Sequence, residues 1–281
     1  MPPVKSRPCF LTPGRVNSNY PLFVFLPGMD GTGQLLRAQT KGLETAFDVR
    51  ALAIPPDDLN NWDDLAELVV NLVEEELKKG AGASRSVYLC GESFGGCLAI
   101  KVAGRAPHLF KRIILINPAT SFNQRPWLRW GAQLNRLIPE FLYGVSSLAL
   151  LPLLSNLART TPRDRRALLD AMQSVPAKIA NWRISMVTEF DVKETQLRRL
   201  TQPVLVIGGA ADQLLPSAQE AERLANSLPN AQKLILPNSG HACLLETDVC
   251  LFELMKEQNF LEASVPNQEA KSVLIPIPVA D

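Results

Sequence analysis

The chain has 281 residues, 46% hydrophobic and 20% charged, with 29 basic side chains against 28 acidic ones. That length could hold one large domain or two small ones, and the composition is ordinary for a globular protein with a large core. A net charge of +1 gives no electrostatic footprint for nucleic acid or another polyanion.

Five cysteines (Cys9, Cys90, Cys97, Cys243, Cys250) lack Cys-x-x-Cys spacing, and only two histidines are present. A disulfide framework or zinc site is therefore disfavoured, and no metal or cofactor is expected. Cys90, Cys97 and Cys243 lie in apolar runs and read as small buried hydrophobes. The N-terminus has no apolar h-region, so no secretory signal is expected. It is basic and free of acids, like a transit peptide, but its prolines disfavour an amphipathic helix. The longest apolar stretch, "VSSLALLPLLSNLA" from Val145, contains Pro152 and falls short of the roughly 18 residues a membrane span needs. The expectation is a soluble or peripheral protein.

In chain order, apolar runs alternate with helical patterns. "LFVFLPG" (22–28) and "VRALAIP" (49–55) read as strands, each ended by Gly or Pro. "WDDLAELVVNLVEEELKKG" then places Leu65, Leu68, Val69, Leu72 and Val73 on one helical face, with Gly80 as the stop. "SVYLCG" (86–91), "RIILINP" (112–118), "PVLVIGG" (203–209) and "QKLILPN" (232–238) complete the strand set. None alternates with polar residues, as befits parallel strands buried on both faces. "SAQEAERLANSL" (217–228) is a further helix with Ser217 as its expected N-cap. The rhythm predicts an α/β fold with a mostly parallel, doubly wound sheet, as a single domain over 1–281. Residues 121–200 break the rhythm and read as an inserted helical cap. The tail 263–281 is expected to dock on the body or stay loose.

One strand-to-helix corner carries chemistry. Gly91-Glu92-Ser93-Phe94-Gly95 fits Gly-x-Ser-x-Gly, directly after a strand and before a helix. In such an elbow the turn strains the serine and lifts its hydroxyl above the sheet, and the glycines leave room for neighbouring backbone. The motif alone would arise by chance in roughly one chain of this length in ten, so the strand–turn–helix context is what gives it weight.

A serine needs a base. His108 ends the helix after the elbow, at the far edge of the sheet, and reads as a surface histidine. His241, in "LPNSGHACLLE", follows a strand and a glycine turn at the sheet's C-terminal edge, where sites gather in open α/β folds. An imidazole in turn needs a carboxylate to fix its tautomer. Asp212, beyond the strand "VLVIGG", stands at that same edge; Asp30 and Asp191 are rivals. For the developing oxyanion, the backbone N–H of Phe94 is one donor candidate. The N–H of Met29, in the glycine-rich turn "FLPGMDGTG", is the other. That turn lacks the Lys-Ser/Thr of a P-loop and the Gly-x-Gly-x-x-Gly of a dinucleotide site.

With the order Ser93, Asp212, His241, the chain resembles the α/β-hydrolase superfamily over about residues 20–262. "FLPGMDGTG", "FDVRALAIP", "CGESFGGCLAI", "LINPATSF" and "NSGHACLLE" resemble the hydrolase part of plant and cyanobacterial phytyl ester synthases, or esterase/lipase/thioesterase acyltransferases. Those proteins are similar to this one in carrying Pro-Gly-x-Asp-Gly where many α/β-hydrolases have His-Gly. The resemblance implies a photosynthetic source, with a location in the cyanobacterial cytoplasm or the plastid, at the thylakoid. It also implies an acyl-lipid or acyl-thioester substrate, phytol or another alcohol as acceptor, and peripheral membrane contact. The family often carries a downstream lysophospholipid-acyltransferase-like domain. A chain ending at Asp281 is expected to lack it, which leaves ester or thioester hydrolysis beside acyl transfer.

The expected function is a serine hydrolase or acyltransferase working through an acyl-enzyme, with residues Leu148 to Leu154, Trp127 and Trp130 covering the acyl chain. An acyl-thioesterase is the first alternative. A non-catalytic lipid binder on the same scaffold is the competing class.

Overall fold

The computed structural model describes residues 6–79, 85–124 and 150–262. Seven strands form one sheet in the order β1-β3-β2-β4-β5-β6-β7. They are β1 (Cys9–Leu11), β2 (Leu22–Leu26), β3 (Asp48–Ala53), β4 (Val87–Glu92), β5 (Arg112–Ile116), β6 (Val204–Gly209) and β7 (Ala231–Leu236). The six strands read from sequence are all present and mutually parallel. The strand that sequence missed is β1, which pairs antiparallel with β3. Three residues are too few for any periodic signal, so pairing alone defines it.

Strands β2, β4 and β6 are buried along their whole length, which explains their unbroken apolar runs. Alternate residues feed opposite faces, as the period-2 geometry of a strand requires. Leu22, Val24 and Leu26 join the core on one face, while Phe23 and Phe25 join the core on the other. On the first face lie α2 (Trp62–Lys79) and α3 (Phe94–Arg105); on the second lie α1 (Arg37–Leu43) and α8 (Leu251–Glu257). The buried stripe of α2 is Leu65, Ala66, Val69, Val70 and Val73. Leu68 and Leu72, expected on that face, are half-buried at its margin. The helix is thus rotated slightly, so that its smaller residues sit closest to the sheet. Gly80, its expected stop, lies outside the described residues.

Between β5 and β6 the described residues contain α4 (Pro162–Gln173), α5 (Ala177–Thr188) and α6 (Glu194–Leu197), and no strand of the sheet. This agrees with the helical character expected there. Trp127, Trp130, Leu148 and the tail 263–281 lie outside the described residues. Helix α7 (Ser217–Ser227) follows β6. No helix among the described residues is long and apolar enough to cross a membrane.

The chain winds from β2 to β3 in one direction and then crosses to β4 on the other side of β2. Such a reversal opens a crevice at the C-terminal ends of the two flanking strands. The turn after β2 holds Pro27 to Gly31, and the turn after β4 holds Ser93.

Candidate active site

Ser93 adopts φ 54° and ψ −113°, a conformation that costs a non-glycine residue about 1–3 kcal/mol and needs enforcement. Its N–H donates to Ile116 O (2.9 Å), and its carbonyl accepts from Gly96 N–H (2.9 Å) and Ala119 N–H (3.0 Å). The glycines permit the corner sterically. A Cβ on Gly91 would lie 2.1 Å from Gly95 O, and one on Gly95 would lie 2.0 Å from Leu26 O. Ser93 occupies the N-cap of α3 without making a capping bond, so its hydroxyl is free for another partner.

That partner is His241: Nε2 lies 2.8 Å from Ser93 Oγ, and Nδ1 lies 2.7 Å from Asp212 Oδ2. The three side chains come from the ends of β4, β6 and the loop after β7, so the sheet edge brings together all three residues read from sequence. Asp212 Oδ1 accepts the N–H groups of Leu214 (2.8 Å) and Leu215 (3.0 Å). The Ser217 hydroxyl donates to Oδ2. Ser217 is therefore not the helix cap that its position suggested. Pro216 holds the N-cap, and the Ser217 side chain turns inward to the carboxylate. Of the rival acids, Asp191 is exposed. Asp30 binds the N–H (2.8 Å) and hydroxyl of Thr32. His108 is exposed, in the turn before the start of β5, as expected.

Burial opposes ionisation of Asp212, but the imidazole charge and its hydrogen bonds outweigh that and hold its pKa below the usual carboxylate value. Burial likewise pushes His241 down, and the Asp212 carboxylate, helped by Glu92, more than compensates, leaving it raised. Glu92, which precedes the serine in the elbow, is buried and pushed up to about 7 by desolvation. Such a set can take a proton from the serine and stabilise the resulting imidazolium.

The histidine loop is fixed by groups that sequence reasoning missed. Asn117 donates from Nδ2 to His241 O (2.6 Å) and Gly240 O (3.1 Å), and its Oδ1 accepts Gly209 N–H (2.7 Å). Buried Glu246 accepts Gly240 N–H (2.8 Å) and pairs with Arg159 (3.1 Å). Asn117 was hidden because Asn-Pro after a strand reads as ordinary turn chemistry.

Phe94 is the first residue of α3, where a backbone N–H has no intrahelical acceptor and the helix dipole favours negative charge. Gly28 approaches Ser93 closely; a Cβ on it would lie 3.9 Å from Ser93 Cβ. Gly28 O accepts the Gly31 N–H (3.0 Å) in a tight turn. Because the intervening peptide is trans, the Met29 N–H points out of that turn. Cys90, Cys97 and Cys243 are buried, and all five cysteines are free. The described residues contain no cluster of three or more His, Cys, Asp or Glu that could hold a metal ion.

This fold and this relay define an α/β-hydrolase of the serine-esterase type. The chain belongs to the serine aminopeptidase S33 family, whose model matches residues 57–248. It is 30% identical over 266 residues to phytyl ester synthase 1, chloroplastic, of Arabidopsis thaliana. That match takes in 86% of this chain but only 37% of the relative, so the chain spans about a third of that protein's length. It is 28% identical to the pimeloyl-[acyl-carrier protein] methyl ester esterase of Aromatoleum aromaticum, over 81% of this chain and 93% of that one. Among solved structures, a thermophilic esterase from Thermogutta terrifontis superposes with a TM-score of 0.73 at 18% identity, covering 90% of this chain and 93% of that chain. At that identity the likeness speaks for the fold alone.

Proposed function

We propose that the chain is an acyl-ester hydrolase or acyltransferase that works through an acyl-enzyme on Ser93. The observation that carries this reading is the unbroken relay, Ser93 Oγ to His241 Nε2 at 2.8 Å and His241 Nδ1 to Asp212 Oδ2 at 2.7 Å. His241 takes the Ser93 proton as Oγ bonds to the ester carbonyl carbon, and the carbonyl electron pair moves onto oxygen. The N–H groups of Phe94 and Met29 hold that oxyanion, and Asp212 keeps the imidazole in its productive tautomer. Collapse breaks the C–O bond to the leaving alcohol, which takes the proton from His241. Water or a second alcohol then gives its proton to Nε2, attacks the acyl-enzyme and regenerates Ser93.

The likeness to phytyl ester synthase 1, chloroplastic, supports acyl esters as donors, phytol as an acceptor and a plastid setting; a cyanobacterial setting and peripheral membrane contact are further parts of the proposal. Similarity to an esterase of an acyl-carrier-bound methyl ester supports a second reading, in which the acyl group arrives on a carrier as an ester or thioester.

The test is hydrolysis of p-nitrophenyl esters by wild type and Ser93→Ala. Activity that vanishes with the hydroxyl is expected; equal rates would overturn the reading. Adding phytol to an assay with an acyl donor separates the two outcomes: phytyl ester is expected for transfer, and free fatty acid alone would reduce the activity to hydrolysis.

A further inference from the structure

We propose that Arg183, on α5, is a positioning residue that clamps the Gly28–Gly31 turn and thereby aims the Met29 N–H at the reacting carbonyl. The inference rests on the reading of Ser93 as the acylated nucleophile.

Arg183 is only 2% exposed, which is unusual for a guanidinium. Its Nη1 donates to Met29 O (2.8 Å) and Asp30 O (3.0 Å). Its Nη2 donates to Pro55 O (3.1 Å) and, at 3.5 Å, to Ile54 O. Four main-chain carbonyls from two loops thus converge on one planar fork. Asp30 and Asp58 contribute at longer range. A guanidinium suits such a cluster because its five N–H groups spread in fixed directions, whereas an ammonium is a point donor.

The clamp and the turn are shaped to each other. Gly31 has φ +68°, and a Cβ there would lie 2.6 Å from Arg183 Nη1. The guanidinium fills the space that glycine leaves open. Gly31 O in turn accepts the Ile54 N–H (2.7 Å), which ties the turn to the end of β3. The carbonyls held by Nη1 belong to the two successive peptides after the one that carries the Met29 N–H. Rotation of that peptide therefore has to break a bond to Arg183 or the Gly31–Gly28 bond.

Helix α5 braces the second donor as well. Trp62 stacks on Phe94 with ring centroids 4.6 Å apart, and the Trp62 Nε1–H donates to Met186 O on α5 (2.9 Å). The Trp182 Nε1–H donates back to Asn60 O (3.1 Å). This helix of the insert is consequently a fixed wall of the site, and Arg183 is the point where it meets the oxyanion turn.

The experiment uses the full chain with Arg183→Gln and Arg183→Lys. It measures kcat and KM on p-nitrophenyl butyrate, and inhibition by an alkyl trifluoromethyl ketone and by the matching secondary alcohol. The ketone adds Ser93 and develops an oxyanion; the alcohol does not. Arg183→Gln is expected to lose about 10²-fold in kcat, the scale of one oxyanion donor, with KM within about threefold of wild type. Ketone affinity should fall in step with kcat/KM, alcohol affinity should hold, and Arg183→Lys should recover part of the loss. Unchanged kcat, or equal weakening of ketone and alcohol, would overturn the proposal. Should Arg183→Gln not fold, Arg183→Lys and Gly31→Ala, whose methyl displaces the guanidinium, carry the same comparison. Failure of Arg183→Lys to fold as well would also overturn it, because Arg183 would then serve folding only. An inactive wild type would refute the Ser93 reading instead.

Discussion

The amide of Asn117 reaches across from the end of β5 to hold the carbonyl of His241 at 2.6 Å. The same side chain accepts the N–H of Gly209 at the end of β6 (2.7 Å), the strand that leads to Asp212. One buried residue therefore spaces the histidine loop from the carboxylate loop. It adopts φ 42° to do so, a conformation that asparagine tolerates better than most residues. Asn117→Ala should cost about 2–4 kcal/mol of stability through orphaned buried backbone groups and slow turnover. Asn117→Asp should be no better, since it loses both donated bonds. Urea denaturation together with kcat checks both variants.

The acid limb of the pH–rate profile reports the imidazole that must be neutral to accept the serine proton. Burial lowers the His241 pKa, and Asp212 together with a smaller contribution from Glu92 raises it by more, so the net direction is up. The midpoint of kcat/KM against pH should therefore lie above the ordinary histidine value of about 6.5. Asp212→Asn removes the larger of the two carboxylate influences that oppose burial, leaving only Glu92, and should move that limb to lower pH, while kcat falls by about 10⁴-fold. A limb that stays in place would disconnect Asp212 from the base.

Ser217 gives the Asp212 carboxylate one of its four hydrogen bonds. A hydrogen bond to a charged group is worth about 1.5–3 kcal/mol. Ser217→Ala should lower kcat by about tenfold or more with KM held, and a steady-state comparison of the two constants tests it.

Most of this site was legible in the sequence because each part sits where the polymer pattern changes sharply. Strands buried on both faces are unbroken apolar runs, and Ser93 and Asp212 each follow one, whereas His241 follows the edge strand β7, which is only partly buried despite its Leu-Ile-Leu run. Gly91 and Gly95 flank the serine because backbone oxygens occupy the space where their Cβ atoms would be. Two supporting groups were not legible for a common reason: they bind mainly main chain rather than side chains. Arg183 and Asn117 hold carbonyls, which any residue supplies, so no second residue type marks their partners. Ser217 was misread because a serine at a helix start has a local role that satisfies the pattern, while its real partner lies five residues back. Strand β1 left no trace because three residues carry no period.

Glu92 offers a stability test. Burial raises its pKa from the ordinary 4.5 to about 7, so the folded state holds this proton more tightly than the unfolded chain. Its stabilising contribution is fully present below about pH 4.5 and is lost as pH rises through about 7. The difference is on the order of 3 kcal/mol from the size of that shift. Glu92→Gln should flatten the fall in stability across this window, as read by denaturant midpoints at several pH values. An equal fall in both proteins would mean that other groups cause it.

A fluorophosphonate reports whether His241 and Asp212 make the Ser93 hydroxyl a nucleophile. Intact-mass and peptide mass spectrometry after exposure to a fluorophosphonate reads this directly. One covalent adduct on Ser93 in the folded wild type, and its loss in His241→Ala, is the expected result. An unmodified Ser93 in folded protein, or labelling that His241→Ala leaves unchanged, would contradict it.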